Sequence, residues 1–597
     1  MKKHLFHGKH HALLCFLSFW LCQMSVIADD TFFALSASGN QTANDVVVDS
    51  VGNSYVAGTF SGTVDFAPQP GVTVNRTASG TGRDLYVAAY NAAGELRWVF
   101  HCVGSGSGVH NATGLCLTTS DNIVVCGSFT GQIRFGTGAS DPVITSTGSS
   151  LDGFVFRLNT SGSTPSLASH SHFRCTEAII PQAVHSVRRF STESFAVVGH
   201  FSGEATFDSL TGSPVSLFSN AGSTDIFVTL LTSTGASSNR FRLGGSGTDV
   251  AMDVTFQHAD DWIHVVGSFS GTVDFDPGSG VHNETSTGSG SDGYVATFNQ
   301  DDLSLVAASP LHCPASAVVN AVEWSYNALG TPTVWIGGDF SQAIGFGENP
   351  NNWRSIGSSQ GCFFGRVSAH GSPLEYSGFL HTMRGLSPTL TSLYIEGSEQ
   401  FAIAGGITFG FSEFNYFSTT GVSSESFTAD QGDGFLWGIS SGQDHIMVRR
   451  FGGGGASIVN DVAAPTQWRP SRGFDVIDNN ASAVGAFTGN ITAVCDESLS
   501  LVSTTGEDAF VSRCSPWPLP ELNVELFLDV GVTVSFQPML GRSYRLQQST
   551  NLLPPWTTRA DFMPSSGTQA VLDEFSVTGP RNFYRLTPLS QIYPPDP

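Results

Sequence analysis

The stretch GTFSGTVDF at residues 58–66 returns almost unchanged as GSFSGTVDF at residues 267–275. Its opening Gly-x-Phe pattern recurs at intervals of roughly 70 residues, a period typical of repeat architectures. The seven copies begin at Gly58, Gly127, Gly199, Gly267, Gly338, Gly405 and Gly485, with Ile407 in place of phenylalanine in the sixth. The sequence therefore predicts seven copies of one structural unit.

Each unit contains four short runs that favour β-strands. In the first unit these are residues 44–49, 54–60, 84–90 and 96–102, which are rich in β-branched and aromatic side chains and separated by Gly, Ser and Asn turns. The sequence NAAG at residues 91–94 predicts a tight hairpin between the third and fourth runs. Four antiparallel strands in each repeat are typical of a β-propeller blade.

The two ends of the array complement each other. The last unit has its third run at residues 508–514 and no fourth, whereas residues 31–38 form an orphan strand-like run. Pairing them completes seven four-stranded units. We therefore expect an all-β protein, with a seven-bladed β-propeller over residues 29–516 that is closed by the N-terminal strand. We expect Gly58 and its counterparts to let neighbouring blades approach each other.

The runs VVVDSVGNSYVAGTFSGTVDF (residues 46–66) and GTGRDLYVAAYNAAGELRW (residues 80–98) resemble the bacterial seven-bladed β-propeller repeats called SBBP repeats. The resemblance covers roughly residues 31–516 and is strongest in the first four units. It implies a propeller fold and a secreted or surface location in bacteria. It implies no specific reaction.

The proline-rich sequence SPWPLP at residues 515–520 predicts a boundary, and residues 517–597 a second module. The sequences GRSYRLQQSTNLLPPWTT (541–558) and RNFYRL (581–586) are similar to a C-terminal β-module of secreted Verrucomicrobia-type proteins. We expect a small β-sandwich-like module there, with an accessory or surface-association role.

Residues 1–28 have the pattern of a cleavable signal peptide, with early lysines, a short apolar run at 12–21 and small residues before the expected cleavage point. The apolar run is too short for a stable bilayer anchor, so we expect a secreted or cell-surface protein with no transmembrane anchor after cleavage. The formal net charge of −24 disfavours nucleic acid and anionic membranes as partners.

The remaining cysteines form no CxxC pair, so we predict no metal site. Cys116–Cys126 and Cys495–Cys514 are candidate disulfides, and buried free thiols are an alternative. Phosphate loops and metalloprotease motifs are absent, and GSSQG at 357–361 lies in a turn rather than between a strand and a helix. We therefore predict no catalytic residue and no cofactor.

A ring of cations is the pattern that most resembles a site. The fourth runs end on His101, Arg174, Arg242, His312, His381 and Arg450, which would suit an anion. However, the third runs begin on Asp84, Asp152, Asp225, Asp292 and Asp433, and hairpin symmetry places acid and base opposite each other. We therefore favour structural cross-strand pairs, Asp84–His101, Asp152–Arg174, Asp225–Arg242, Asp292–His312 and Asp433–Arg450. Each contributes about 0.2–1 kcal/mol if exposed.

Departures from the repeat point to a binding surface in the fifth and sixth units. The loops there place an aromatic side chain beside an amide or a cation, a combination that suits sugar rings or peptide segments. The candidates are Trp353, Arg354, Asn415 and Tyr416, and ordinary loop packing is the alternative.

We expect a secreted, non-catalytic propeller that binds an extracellular protein or glycan polymer. One alternative is a propeller-type polysaccharide lyase or glycoside hydrolase, which would need carboxylates converging in the central channel. The other is a surface-structural protein with no small ligand.

Overall fold

The computed structural model describes the chain in segments. They are residues 31–35, 39–189, 192–208, 213–220, 222–258, 260–326, 332–346, 353–368, 376–395, 401–418, 421–440, 446–453, 456–463, 466–469, 473–476, 481–488, 490–492, 500–502, 507–514, 522–527, 531–536, 543–549, 557–562, 570–575 and 583–589. These segments contain strands and turns but no helix, and hence no helix of the length and apolar character that a bilayer crossing requires. The protein is all-β, and its strands pair antiparallel.

The strands up to the end of the third repeat unit are, in chain order, β1 (Thr31–Leu35), β2 (Gln41–Val48), β3 (Ser54–Phe60), β4 (Thr63–Asp65), β5 (Asn75–Thr77), β6 (Asp84–Tyr90), β7 (Leu96–Gly104), β8 (His110–Leu117), β9 (Ile123–Phe129), β10 (Gln132–Arg134), β11 (Val143–Thr145), β12 (Asp152–Asn159), β13 (Ser166–Cys175), β14 (Ala178–Arg189), β15 (Thr192–Ser202), β16 (Glu204–Phe207), β17 (Val215–Phe218), β18 (Asp225–Thr232) and β19 (Ser237–Leu243).

Units four to seven continue with β20 (Val250–Gln257), β21 (Trp262–Phe269), β22 (Thr272–Asp274), β23 (Asn283–Thr285), β24 (Asp292–Asn299), β25 (Leu305–His312), β26 (Ala317–Tyr326), β27 (Pro332–Phe346), β28 (Trp353–Ser368), β29 (Tyr376–Ile395), β30 (Phe401–Ser418), β31 (Gly421–Ser440), β32 (Ile446–Gly453), β33 (Ser457–Ala463), β34 (Thr466–Arg469), β35 (Gly473–Val476), β36 (Ala481–Phe487), β37 (Asn490–Thr492), β38 (Ser500–Val502) and β39 (Asp508–Cys514).

One compact unit comprises Thr31–Pro516, and the residues from Trp517 onward belong to another. The second unit contains two three-stranded antiparallel sheets, ordered β40-β41-β44 and β43-β42-β45. Its strands are β40 (Leu522–Phe527), β41 (Gly531–Phe536), β42 (Ser543–Ser549), β43 (Thr557–Phe562), β44 (Ala570–Phe575) and β45 (Phe583–Leu589).

The first repeat unit shows how local sequence forms a sheet. Its strands are ordered β2-β3-β6-β7, and β3 and β6 have the bounds that the sequence predicts. Every residue of β3 and of β6 is buried, because each of these strands packs both of its faces. The predicted hairpin between β6 and β7 closes through the backbone N–H of Asn91, which donates to the carbonyl of Glu95 at 2.9 Å.

The two ends of the array meet as expected. Strand β1 lies antiparallel to β39, with Thr31 opposite Arg513 and Leu35 opposite Ala509. The sheet order is β1-β39-β36-β33, so β1 supplies the fourth strand that the last unit lacks. The part of the predicted N-terminal run at residues 36–38 lies outside the described residues.

The first strands of the seven units form the inner edge of the array. In chain order they are β2, β8, β14, β20, β26, the C-terminal half of β29, and β33. Each contacts the next one along the chain, and β33 contacts β2. We call these seven segments the inner strands.

The units are joined more closely than a set of separate four-stranded sheets would be. The short strands β10, β16 and β37, which follow the second strand of their units, pair with the fourth strand of the preceding unit. The long strands β27 to β31 also extend from one unit to the next. As a result, a single sheet of 13 strands runs from β20 to β38. This edge pairing satisfies backbone groups that would otherwise be left open at each unit's outer strand.

The repeated glycine has a different role from the one expected. A Cβ atom on Gly58 would lie 2.0 Å from the carbonyl oxygen of Thr42, which belongs to the paired strand β2. The close approach is therefore within one sheet, and the expectation that this glycine lets neighbouring blades approach each other is wrong for Gly58. In the sixth unit the equivalent residue is Gly406, 2.1 Å from the Thr389 carbonyl oxygen, and not Gly405.

We predict that Gly58→Ala destabilises the protein by about 1–3 kcal/mol, because a methyl group forces the β2 backbone away from β3. Gly162→Ala is the matched control, since a Cβ there meets nothing closer than 3.4 Å. Its effect is expected within about 0.5 kcal/mol. Urea unfolding measures both, and equal losses would contradict this account of the glycine.

Candidate functional site

Each inner strand carries a β-bulge at the same place. The register shifts by one residue there, which leaves one extra residue out of the ladder and re-aims its side chain. The extra residues are Asn44, Thr113, Gln182, Met252, Asn320, Thr391 and Asn460.

In five of the seven units, the side chain of the extra residue donates a hydrogen bond to the next unit. Asn44 Nδ2 donates to the carbonyl oxygen of Ala112 at 2.8 Å, and Asn460 Nδ2 donates to that of Ala43 at 2.8 Å. Thr113, Asn320 and Thr391 donate in the same way to the carbonyls of Pro181, Leu390 and Val459. The bond from Asn460 therefore joins the last unit to the first by the contact that joins successive units.

In four units the side chain of the residue after the bulge also bonds to the next unit, this time as an acceptor. The donors are backbone N–H groups of the next inner strand, which has a free edge. Asp45 accepts from Leu115 at 2.6 Å, Asp253 from Val322 at 2.8 Å, Ser392 from Val462 at 2.9 Å and Asp461 from Val46 at 2.9 Å. We call both sets of bonds together the bulge belt.

A cavity of about 300 Å³ lies between the inner strands, and residues of all seven contribute to its wall. Four carboxyl groups line it, from Asp45, Asp253, Glu323 and Asp461. Asn and Thr side chains of the bulge belt, together with His185, add further polar groups. Among the described residues of this wall there is no lysine or arginine.

The carboxyl groups interact strongly because the protein shields them from water. Burial, followed by the neighbouring charge of Asp253, raises the pKa of Glu323 to about 8. Burial also raises the pKa of Asp253 to about 7, against the lowering effect of the N–H bonds from Val322 and Val254. These two groups therefore change charge close to neutral pH.

The other two carboxyl groups are bonded to one another. Burial and the charge of Asp461 raise the pKa of Asp45 well above its usual range. Burial likewise raises the pKa of Asp461, against the hydrogen bonds that it accepts from Asp45 and Val46. On the opposite side of the wall, burial lowers the pKa of His185 to about 4, so its imidazole is neutral at pH 7.

Within the described segments, no three His, Cys, Asp or Glu side chains are placed to hold a metal ion. Neither a protein-family model nor a curated protein sequence matches this chain.

The acidic residues at the start of the third strands are fully buried, and most bond to a basic side chain of the neighbouring strand. His101 Nε2 lies 2.8 Å from Asp84 Oδ2, and His312 Nδ1 lies 2.8 Å from Asp292 Oδ2. Arg242 donates to Asp225, and Arg450 donates to Asp433.

The expected pair Asp152–Arg174 is wrong. Asp152 bonds to His172 Nε2 at 2.8 Å, and Arg174 instead reaches the exposed Asp208 at 3.0 Å. Gly153 is opposite Phe173 in the register, so Arg174 comes directly opposite Asp152, whereas His172 is opposite Phe154 and reaches Asp152 diagonally. The residue directly opposite the aspartate is therefore not the one that bonds to it. Burial opposes ionisation of Asp152, but the hydrogen bonds from His172 and the Cys175 N–H outweigh it and lower its pKa.

The other pairs have the same diagonal geometry. His101 is directly opposite Tyr86, and Arg242 is directly opposite Phe227, so each basic side chain is diagonal to its aspartate. The aspartates also accept backbone N–H bonds, for example from Ser79 and Gly104 to Asp84. Each aspartate therefore ties together the start of its strand, the preceding turn and the neighbouring strand.

The four loop candidates lie in strands rather than in loops. Trp353 and Arg354 pair along β28 with Gly345 and Ile344 of β27. Asn415 and Tyr416 lie in β30, opposite Ser424 and Ser423 of β31. Their side chains, and that of His381, lie outside what the structure describes.

Six cysteines, including the candidate partners Cys116 and Cys126, are buried free thiols. Cys116 is opposite Val124 in the register, so the proposed Cys116–Cys126 bond is wrong. Cys495 lies outside the described residues, as does the side chain of Cys514.

The carboxyl groups of the cavity were missed by the sequence analysis. One signal was present: the first strands of three units repeat the pattern Ala-Asn-Asp, Ala-Met-Asp or Val-Asn-Asp at residues 43–45, 251–253 and 459–461. An aspartate within an otherwise apolar strand is unusual, and it marks this position.

We predict that Arg242→Ala destabilises the protein by about 1–3 kcal/mol, because it leaves the fully buried Asp225 carboxylate without its cation. Arg174→Ala is the matched control, since Arg174 and Asp208 are 44% and 48% exposed. Its loss is expected within about 0.5 kcal/mol. Thermal unfolding compares the two, and an equal loss in both variants would refute a structural role for the buried pairs.

Proposed function

We propose that this chain is an exported, non-catalytic seven-bladed β-propeller, closed by its N-terminal strand. Its central cavity is proposed to bind a cationic group of an extracellular protein or polysaccharide. The observation that carries this proposal is the convergence of four carboxyl groups on a cavity whose described wall has no lysine or arginine.

Three features support the closed propeller. The inner strands contact each other in chain order and β33 contacts β2. Strand β1 pairs with β39, and Asn460 bonds to Ala43 as Asn44 bonds to Ala112. The resemblance to SBBP repeats agrees with this arrangement. The proposal of export depends on residues 1–28, which lie outside the described residues.

A cation is the ligand that this cavity favours on electrostatic grounds. Carboxylates in a shielded space repel one another. A positively charged ligand placed among them relieves that repulsion, whereas a negatively charged ligand increases it. The net charge of −24 also steers cations toward the protein. An ammonium or guanidinium group, from a basic side chain or an amino sugar, has both the charge and the hydrogen-bond donors to match.

The geometry of the carboxyl groups favours binding over catalysis. Asp45, Asp253 and Asp461 each accept a backbone N–H bond from the next unit. Asp45 and Asp461 also bond to one another, whereas a glycosidase needs two carboxyl groups separated by about 5–10 Å around the scissile bond.

A glycoside hydrolase or lyase is a second candidate, because Glu323 and Asp253 have pKa values near neutrality. A carboxyl group that holds its proton at neutral pH is suited to act as a general acid. Appearance of shorter products from a polysaccharide panel would support this candidate over binding alone.

The test of binding uses the full-length protein and pairs of probes that differ only in charge. A lysine-rich peptide is compared with its acetylated form, and a chitosan oligosaccharide with a chitin oligosaccharide. Calorimetry is expected to detect the charged member of at least one pair and neither neutral member. Which pair binds separates a protein partner from a polysaccharide. Equal affinity for charged and neutral probes, or no binding of any probe, would contradict the proposal.

We predict that the affinity for a lysine-rich peptide rises between pH 6 and pH 9. Asp253 and Glu323 have pKa values of about 7 and 8, so raising the pH converts both to the anionic form that attracts the peptide. At pH 9, Glu323→Gln is expected to weaken binding about tenfold or more. Glu95→Gln, which removes the same charge from the exposed β6–β7 turn, is the matched control and should leave the affinity unchanged.

A further inference from the structure

The contact between the last and first units differs from the other contacts of the bulge belt. At the joint between β20 and β26, the hydrogen bonds described for the carboxyl group of Asp253 come from backbone N–H groups, that of Val322 in the next unit and that of Val254 in its own strand. At the joint between β33 and β2, Asp461 meets both the N–H of Val46 and a second carboxyl group, that of Asp45. We call this contact the closing joint.

A hydrogen bond between two carboxyl groups requires a proton on one of them, because two carboxylates have only acceptors to offer. Both groups are also committed as acceptors of backbone N–H bonds, from Leu115 to Asp45 and from Val46 to Asp461. Losing the shared proton would therefore place two negative charges in contact inside the protein.

We propose that Asp45 and Asp461 share one proton across the closing joint, and that loss of this proton at alkaline pH loosens this joint before the others. The inference concerns how the array is held closed, and it stands whether or not the cavity binds a cation.

The direction of the pH effect follows from the folded and unfolded states. Burial and the charge of Asp461 raise the pKa of Asp45 in the folded protein, so the folded state holds this proton more tightly than the unfolded chain does. The stabilisation is therefore complete at acid pH and is lost as the pH rises through the folded-state pKa. Between the two pKa values, opening becomes about tenfold more favourable per pH unit.

Other titratable groups face this joint and set the background against which it is measured. Across the cavity these are His185, Asp253, Glu323 and Tyr394. On the strands packed against β2 they are Tyr55, His110, Cys116 and Asp508. The test must therefore isolate Asp45 and Asp461 by substitution.

Asparagine is the informative substitution. At position 45 its carbonyl can accept the Leu115 N–H, while its amide donates permanently to Asp461, so Asp45→Asn replaces the shared proton with one that does not titrate. Asp461→Asn makes the reverse arrangement, and it keeps the test open if the first variant folds poorly. Asp253→Asn is the matched control at a joint where the hydrogen bonds described for the aspartate come from backbone N–H groups and from no second carboxyl group.

Hydrogen exchange of the Val46 amide, corrected for intrinsic rate, reports the closing joint in the full-length protein. Its protection is expected to fall by up to about tenfold per pH unit in the wild-type protein above neutral pH, and in Asp253→Asn as well. It should be nearly constant in Asp45→Asn or Asp461→Asn. A wild-type pH dependence retained in both closing-joint variants, or absent from the wild type, would overturn the proposal.

Discussion

The arrangement of the repeats depends on hydrogen bonds between a side chain on one inner strand and the backbone of the next inner strand. The inner strands are sheet edges, and their N–H and C=O groups have no ladder partner on one side. The bulge belt supplies those partners from the neighbouring unit, at about 0.5–1.5 kcal/mol for each neutral bond. Because the bond from Asn460 to Ala43 repeats the one from Asn44 to Ala112, the same interaction that orders the units also joins the two ends.

The belt also explains why the cavity is acidic. In four units the residue that follows the bulge accepts a bond from the next unit and also lines the cavity, so the choice of side chain there affects both stability and the proposed binding. Gly114, Ala183 and Ala321 occupy this position in three units, which shows that the fold does not demand a carboxyl group there. Aspartate at three of the other positions carries the cost of a buried charge, and a ligand of opposite charge would offset it.

Strand positions and the meeting of β1 with β39 could be predicted from the sequence, because the repeat itself marks equivalent residues. The partners of Asp152 and Arg174 could not, because the side chain that bonds to the aspartate is diagonal to it in the register rather than directly opposite, and no residue type signals this. The cavity was beyond sequence reasoning for another reason. Asp45 lies in the first unit and Asp461 in the last, and their carboxyl groups come together only because β33 contacts β2.

The most direct test of closure is a crosslink between the two end strands. Phe33 of β1 is opposite Val511 of β39, whereas Phe510 is one residue away in register and its side chain points to the other face of the sheet. Mild oxidation of the double variant Phe33→Cys/Val511→Cys is expected to give the 33–511 disulfide in high yield by peptide mass mapping, and Phe33→Cys/Phe510→Cys to give little. No disulfide in the first variant, or equal yields in both, would contradict a closed array.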